Sequence, residues 1–203
     1  MRDKSVRSRP APARPANRVR VVGGAWRGRL IRFHDGIGLR PTPDRVRETL
    51  FNWLGQDLTG RVCLDLFAGS GALGFESLSR GARETVLVDR SRTVCASLRE
   101  TAAMLEAEGA RVVCSDALEF LARADARFDV VFVDPPYGTG LTAKALGRLP
   151  PLLAAGARVY VENDTPLVPD SGWSLLRQGR AGAVHYHLLE WGTDDQSHLP
   201  GHL

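Results

Sequence analysis

Lysine is almost missing from this chain: of 27 basic residues, only Lys4 and Lys144 are not arginine. Cysteine is nearly as scarce, with Cys63, Cys95 and Cys114 alone among 203 residues. Their number is odd, their spacing matches no metal-binding pattern, and no secretory leader is evident, so a reducing, cytoplasmic setting is expected. Cys63 and Cys114 fall in strand-like segments and read as small buried hydrophobes. No apolar run approaches the ~18 residues a membrane-spanning helix needs, which excludes a membrane span. Histidine is sparse too. His185 and His187 share one side of a strand-like segment, but no third ligand accompanies them, so they read as a strand face and no metal is expected.

The charge is uneven. Residues 1–48 hold 13 Lys+Arg against 4 Asp+Glu, and residues 49–203 hold 14 against 19. A basic end on a mildly acidic body is what a polyanion-binding surface produces. A solubilising face, or a genome biased towards arginine, is the plainer explanation. Trp26, set among Arg27, Arg29 and Arg32, favours nucleic acid, because aromatic and cationic groups together stack on bases and hold phosphates.

Two motifs carry chemistry. Val62–Phe67 reads as a strand running into Ala68-Gly69-Ser70-Gly71-Ala72-Leu73-Gly74 and then a helix. Gly69, Gly71 and Gly74 fit the G-x-G-x-x-G fingerprint between strand and helix, where glycine allows a sharp turn and close approach of a ligand. Asp89 follows 20 residues after Gly69, where an acidic residue grips ribose hydroxyls. Asp65 ends the first strand; a pyrophosphate gains nothing from a carboxylate there, but a cationic ligand does. S-adenosylmethionine, with its ammonium and sulfonium, matches better than NAD. The second motif, Asp134-Pro135-Pro136-Tyr137, follows the apolar run Phe128–Val133. Two prolines cannot continue a strand, so the turn is rigid. It presents a carboxylate, a backbone carbonyl and an aromatic ring. These suit the amine of a planar base: acceptors take its hydrogens, freeing the delocalised lone pair, and the ring stacks.

Asp65–Gly74, Leu78–Ala82 and Asp134–Tyr137 resemble the class I S-adenosylmethionine-dependent methyltransferases. Val21–Arg29 and Leu39–Leu54 narrow the likeness to the bacterial 16S ribosomal RNA guanine-N2 methyltransferases, over about residues 18–191. The resemblance implies methyl transfer from S-adenosylmethionine to the exocyclic N2 of a guanine in small-subunit rRNA. It implies a cofactor site at Asp65, Phe67, Ala68, Gly69, Ser70, Gly71, Asp89 and Asp116, and a catalytic turn at Asp134, Pro135, Pro136 and Tyr137. It departs from the family at Asp89, where glutamate is common, at Tyr137, often phenylalanine, and at Thr101, where asparagine is expected. A DNA or RNA adenine-N6 or cytosine-N4 enzyme, a protein glutamine methyltransferase, an NAD-dependent oxidoreductase and a non-catalytic RNA-binding module remain alternatives.

Residues 1–17, rich in Arg, Pro and Ala, are expected to be a disordered basic arm. Residues 18–57 read as a hairpin and helix that contact RNA, 58–192 as the methyltransferase domain, and 193–203 as a flexible tail. Arg18–Phe33 alternates as a hairpin. Thr42 reads as an N-cap with Pro43 at the first helical position of a helix running to Leu54. Val46, Leu50, Trp53 and Leu54 form its apolar stripe; Arg45 and Arg47, with Arg40, are candidates for phosphate. Strands are expected near 62–67, 85–89, 111–114, 128–133 and 157–162, helices near 71–80, 92–107, 117–124 and 140–154, and a closing antiparallel pair at 173–177 and 183–191. That alternation predicts a doubly wound, mostly parallel seven-stranded α/β sheet with a small N-terminal β-hairpin and helix extension. The expected partner is 16S rRNA, a small ribosomal subunit or an assembly intermediate, and the protein is expected to be a monomer.

Overall fold

The structure, a computed structural model, describes residues 17–33 and 42–192. Runs dominated by valine, leucine and phenylalanine form β3 (Val62–Asp65), β4 (Glu84–Asp89), β5 (Ala110–Cys114), β6 (Phe128–Val133) and β7 (Leu153–Asn163). Strands so nearly continuous in apolar residues suit a parallel sheet covered on both faces. With β8 (Trp173–Ala181) and β9 (Val184–Trp191) they make one seven-stranded sheet in the order β5-β4-β3-β6-β7-β9-β8. β5 to β7 are parallel, and β9 runs antiparallel between β7 and β8. This is the doubly wound, mostly parallel α/β sheet expected.

Alternate residues of each strand feed opposite cores. Leu64, Leu66, Val86, Val88, Val131 and Val133 pack under α4 (Ala117–Arg123) and α5 (Leu141–Leu146). Cys63, Leu87, Val130, Phe132 and Tyr160 lie on the other face, with α1 (Asp44–Leu54), α2 (Ala72–Ser79) and α3 (Arg92–Leu105). The chain winds from β3 outward to β5, then returns to place β6 on the other side of β3. The point where strand order reverses therefore lies between β3 and β6, the place where such sheets open a crevice.

Three local expectations are corrected. The helix foreseen over 140–154 stops at Leu146; Gly147 follows, and Pro150 and Pro151 form a short 3-10 turn before β7 begins at Leu153. Consecutive prolines lack the N–H groups a helix needs. Thr42 does not cap α1: the cap position is Pro43, without a side-chain bond, and the Thr42 hydroxyl donates to Glu162 Oε1 instead (2.7 Å). Cys63 and Cys95 are buried, but Cys114 is exposed, because β5 is the sheet's edge.

The N-terminal hairpin pairs β1 (Asn17–Arg20) with β2 (Leu30–Phe33). Its loop docks on α2. Ser79 Oγ donates to the Gly23 carbonyl (2.6 Å), and the Ala25 N–H donates to the Ser79 carbonyl (2.7 Å). Gly24 has φ +73°, and a Cβ there would fall 1.9 Å from the Ser79 carbonyl oxygen, so only glycine permits the contact. Beneath this dock lies a buried ionic hub. Arg47, with no exposed surface, donates to the carbonyls of Thr42 (3.2 Å) and Arg20 (2.6 Å), to Asp44 (2.7 Å) and to Glu76 (3.3 Å). Glu76, also fully buried, accepts from the Val22 N–H (2.8 Å) and from Arg80 Nε (2.9 Å), while the Arg80 guanidinium sits 4.6 Å from the Phe51 ring centroid. The hub ties hairpin, α1 and α2 together.

The sequence placed Arg47 on the surface as a phosphate contact. Its burial overturns that: Arg47 lies one turn before Leu50 and Phe51 on the same helical face, and its donors are spent inside the protein. Removing one partner of a buried ion network leaves charges uncompensated, at a cost of about 3–5 kcal/mol. Glu76→Ala, which strands Arg47 and Arg80 together, is expected to lower urea-unfolding stability by about 3 kcal/mol or more; a loss below about 1 kcal/mol contradicts the hub's structural role.

Candidate active site

The two sequence motifs leave the sheet side by side. β3 and β6 are parallel neighbours with Asp65 opposite Phe132, and the Leu66 N–H donates to the Phe132 carbonyl (3.1 Å). The turn after β3, with Phe67 partly buried and Ala68, Gly69, Ser70 and Gly71 buried, thus stands beside Asp134–Tyr137 after β6. The Ala68 N–H donates to the Val88 carbonyl (2.8 Å) and the Gly71 N–H to the Ala68 carbonyl (2.6 Å), while Ser70 Oγ accepts from the Ala72 N–H (3.4 Å). Gly71 starts α2 with φ +76°, and a Cβ there would lie 2.6 Å from the Phe75 ring. A tight loop packed this closely on its own helix requires glycine.

Acidic residues line this edge. Asp89, partly exposed at the end of β4, accepts from the Gly69 N–H through Oδ2 (3.1 Å) and from the Ser91 N–H through Oδ1 (2.8 Å). Asp116 is exposed and caps α4, with Oδ1 accepting from the Leu118 (2.8 Å) and Glu119 (3.2 Å) N–H groups. Asp65 is buried, and its Oδ2 accepts from the Gly74 N–H (2.9 Å) at the start of α2. Asp134 keeps part of its surface open, Pro135 is buried, and Pro136 and Tyr137 are exposed. Thr139 Oγ1 donates to the Pro136 carbonyl (2.7 Å) and stiffens the turn.

A further acid, unread in the sequence, completes the group. Glu162 is the penultimate residue of β7, behind the apolar run Val159-Tyr160-Val161, much as Asp65 closes β3 and Asp134 follows β6. Its Oε1 accepts from the Thr42 hydroxyl (2.7 Å) and from Tyr160 OH (2.9 Å). Among the described residues, Asp65, Asp134 and Glu162 form no ion pair. Burial disfavours the ionised form of each, and at Asp65 and Asp134 the charge of other acids adds to it. Burial lifts Asp65 to about 7; the Gly74 N–H opposes the rise, and Asp89 and Glu162 add to it. Asp134 is raised well above the ordinary carboxylate range by burial, then by Glu162 and Asp65. Glu162 is raised by burial, against the pull of its two hydroxyl donors. A cleft holding three uncompensated carboxylates suits a cationic ligand.

The basic residues separate. Arg27, Arg29 and Arg45 are exposed, Trp26 is half-buried and packs against the core under the hairpin, and Arg47 is the buried hub residue described above. Arg40 lies outside the described residues, as do residues 1–16 and 193–203. Arg18 and Arg20 line a groove of about 600 Å³ with Thr42, Pro43 and Asp44. His187 is buried and its Nε2 accepts from the Leu167 N–H (3.2 Å), so it serves the strand packing. Among the described residues no helix is long and apolar enough to cross a membrane.

Comparison with known proteins agrees with this geometry. The family described as conserved hypothetical protein 95 matches residues 19–190. The ribosomal RNA small subunit methyltransferase D of Escherichia coli strain K12 is 46% identical over 188 residues, which cover 90% of this chain and 94% of that protein. The Haemophilus influenzae protein of the same name is 41% identical over 180 residues, covering 85% and 93%. A solved structure of the candidate methyltransferase yhhF from Escherichia coli superposes with a TM-score of 0.77 at 45% identity, covering 85% of this chain and 97% of that one.

The raised Asp65 has a consequence for stability. Its folded value, about 7, stands above the ordinary 3.8, so folding favours the neutral acid. That contribution is full below about pH 4 and is lost as pH rises through about 7. Asp65→Asn keeps an acceptor for the Gly74 N–H and never ionises. Its stability relative to the parent protein should therefore rise by on the order of 2 kcal/mol between pH 5 and pH 8 in urea unfolding without ligand. A pH-independent difference contradicts the assignment.

Proposed function

The chain belongs to the conserved hypothetical protein 95 family, and from that membership and the paired motifs we propose that it methylates 16S ribosomal RNA at the N2 amine of a guanine, using S-adenosylmethionine. The observation that carries this reading is the adjacency of β3 and β6, which brings the glycine turn and the Asp134–Tyr137 turn to one edge of the sheet. The acids without a cationic partner fit the cofactor's ammonium and sulfonium, whereas the pyrophosphate of NAD or any other phosphate ligand would be repelled by them. The basic N-terminal elements favour nucleic acid over a protein substrate.

S-adenosylmethionine supplies an electrophilic methyl group on a sulfonium. Phe67, Ala68, Gly69, Ser70 and Gly71 shape the turn that holds it. Asp89 has a second lone pair on each oxygen for ribose hydroxyls, beyond those used by Gly69 and Ser91. Asp65 faces the cationic amino acid end, and Asp116 closes the far side. A cation beside Asp65, Asp134 and Glu162 favours their ionised forms. Asp134 and the Pro135 carbonyl then accept the two hydrogens of the guanine amine, and Pro136 keeps the turn rigid. Those two hydrogen bonds would favour a pyramidal nitrogen and free its lone pair for the methyl group that the cofactor would supply, with the sulfur leaving as a neutral thioether. The product nitrogen carries one surplus proton, which Asp134, with its raised pKa, is suited to take before passing it to water. Tyr137 stacks on the base, which must leave its duplex or lie in a loop to be reached.

Residues 18–57 act as the RNA-contacting extension of the methyltransferase domain at 58–192. Trp26, Arg27, Arg29 and Arg45 hold the backbone, together with Arg40. These contacts position the RNA and carry little sequence information. The protein works as a cytoplasmic monomer on rRNA, a small subunit or an assembly intermediate.

Mass spectrometry of 16S rRNA from a deletion strain tests the function: one guanine methylation should be missing, and an unaltered modification pattern refutes the reading. Asp134→Ala should lower kcat by about 100-fold or more, with S-adenosylmethionine affinity by calorimetry nearly unchanged; a matching loss of affinity contradicts Asp134's role. Arg45→Ala should weaken RNA binding and reduce the slope of log affinity against log salt by about 1; an unchanged slope removes Arg45 from the interface.

A further inference from the structure

We infer that Glu162 reads the ring nitrogen beside the reacting amine and thereby selects guanine over adenine and cytosine; this rests on the methyl-transfer reading above. The Asp134–Tyr137 turn recognises an exocyclic amine, and all three bases carry one. What differs is the neighbouring ring atom on the Watson–Crick edge. Guanine places an N1–H donor beside N2. Adenine has the N1 acceptor beside N6, and cytosine has the N3 acceptor beside N4. A second, separately placed anionic acceptor next to Asp134 bonds to guanine's N–H and repels the lone pair of the other two.

Glu162 has that placement. Val133 and Val161 are the last partners across the parallel β6–β7 pair, so Asp134 and Glu162 each follow directly from that rung, on chains that leave it ~4.8 Å apart. Both acids act on Tyr160, whose hydroxyl donates to Glu162, and the charge of Glu162 acts on Asp134. Glu162 is held in place: it is 3% exposed, and both the Thr42 and Tyr160 hydroxyls donate to Oε1. Oε2 takes part in neither bond. Burial raises the pKa of Glu162 against these two donors, and the cofactor's positive charge, as proposed above, favours its return to the accepting carboxylate.

Thr42 gives the arrangement a second meaning. It lies 120 residues from Glu162, at the entrance to α1, and beside Arg18 and Arg20 in the hairpin groove. The segment proposed to hold RNA thus also fixes the side chain that reads the base. Fixing the acceptor before the base arrives avoids an ordering cost on binding.

The test uses an rRNA substrate carrying either guanine or 2,6-diaminopurine at the methylated position. Diaminopurine keeps the 2-amine but has an acceptor at N1. The parent protein should favour guanine by about 100-fold or more in kcat/KM, as expected where a buried polar group is left unmatched. Glu162→Gln, whose amide both donates and accepts, should narrow that ratio by at least about 10-fold, and Thr42→Val should narrow it less. Equal use of the two RNAs by the parent protein overturns the inference and needs no variant. So does a Glu162→Gln protein that methylates guanine RNA with the full parental ratio. Failure of the parent protein to methylate either RNA is a different result: it removes the methyl-transfer reading itself.

Discussion

The pairing of β3 with β6 governs everything else in this molecule. Strand order reverses there, and at a reversal the two chains leaving the sheet diverge to opposite faces, opening a crevice between them. One chain becomes a glycine turn and the other a double-proline turn. Each is a rigid solution to a local problem. Glycine allows the turn to fold back against Phe75, and proline forbids the strand to continue. Their adjacency is a property of the sheet and belongs to neither motif alone.

Electrostatics divides the molecule into two regimes. In the hub beneath the hairpin, Glu76 meets Arg47 and Arg80, every charge has a partner, and the result is mechanical: the N-terminal extension is fastened to the domain. At the sheet edge, Asp65, Asp134 and Glu162 lie close without a cation. Burial raises all three, and neighbouring acids add to the rise at Asp65 and Asp134, so the ligand-free site stores an unfavourable arrangement that a positively charged ligand relieves. The first regime stabilises the fold; the second is costly to it and belongs to function.

Much of this was legible in the sequence. The strands announced themselves as apolar runs, the two turns as glycine and proline at strand ends, and the order of strands and helices gave the sheet. What escaped notice was long-range or depended on direction. Arg45 and Arg47 stand two residues apart on α1, about 200° around the helix, so one is exposed and the other sits with Leu50 and Phe51 in the core. Thr42 looked like a helix cap because its neighbours fit one; its true partner, Glu162, is 120 residues away and leaves no local trace. Cys114 has strand character but lies on an edge strand, a fact of topology. Glu162 had a readable signal, an acid closing an apolar strand, identical in kind to that of Asp65 and Asp134.

A crystal structure with a non-transferable analogue of S-adenosylmethionine tests the central claim most directly, since that claim is one cleft shared by donor and acceptor. The analogue should lie across the ends of β3 and β4, its ribose on Asp89 and its methyl-equivalent group directed at Asp134 and the Pro135 carbonyl. An analogue bound elsewhere, or bound in the cleft with that group turned away from the Asp134–Tyr137 turn, contradicts the account.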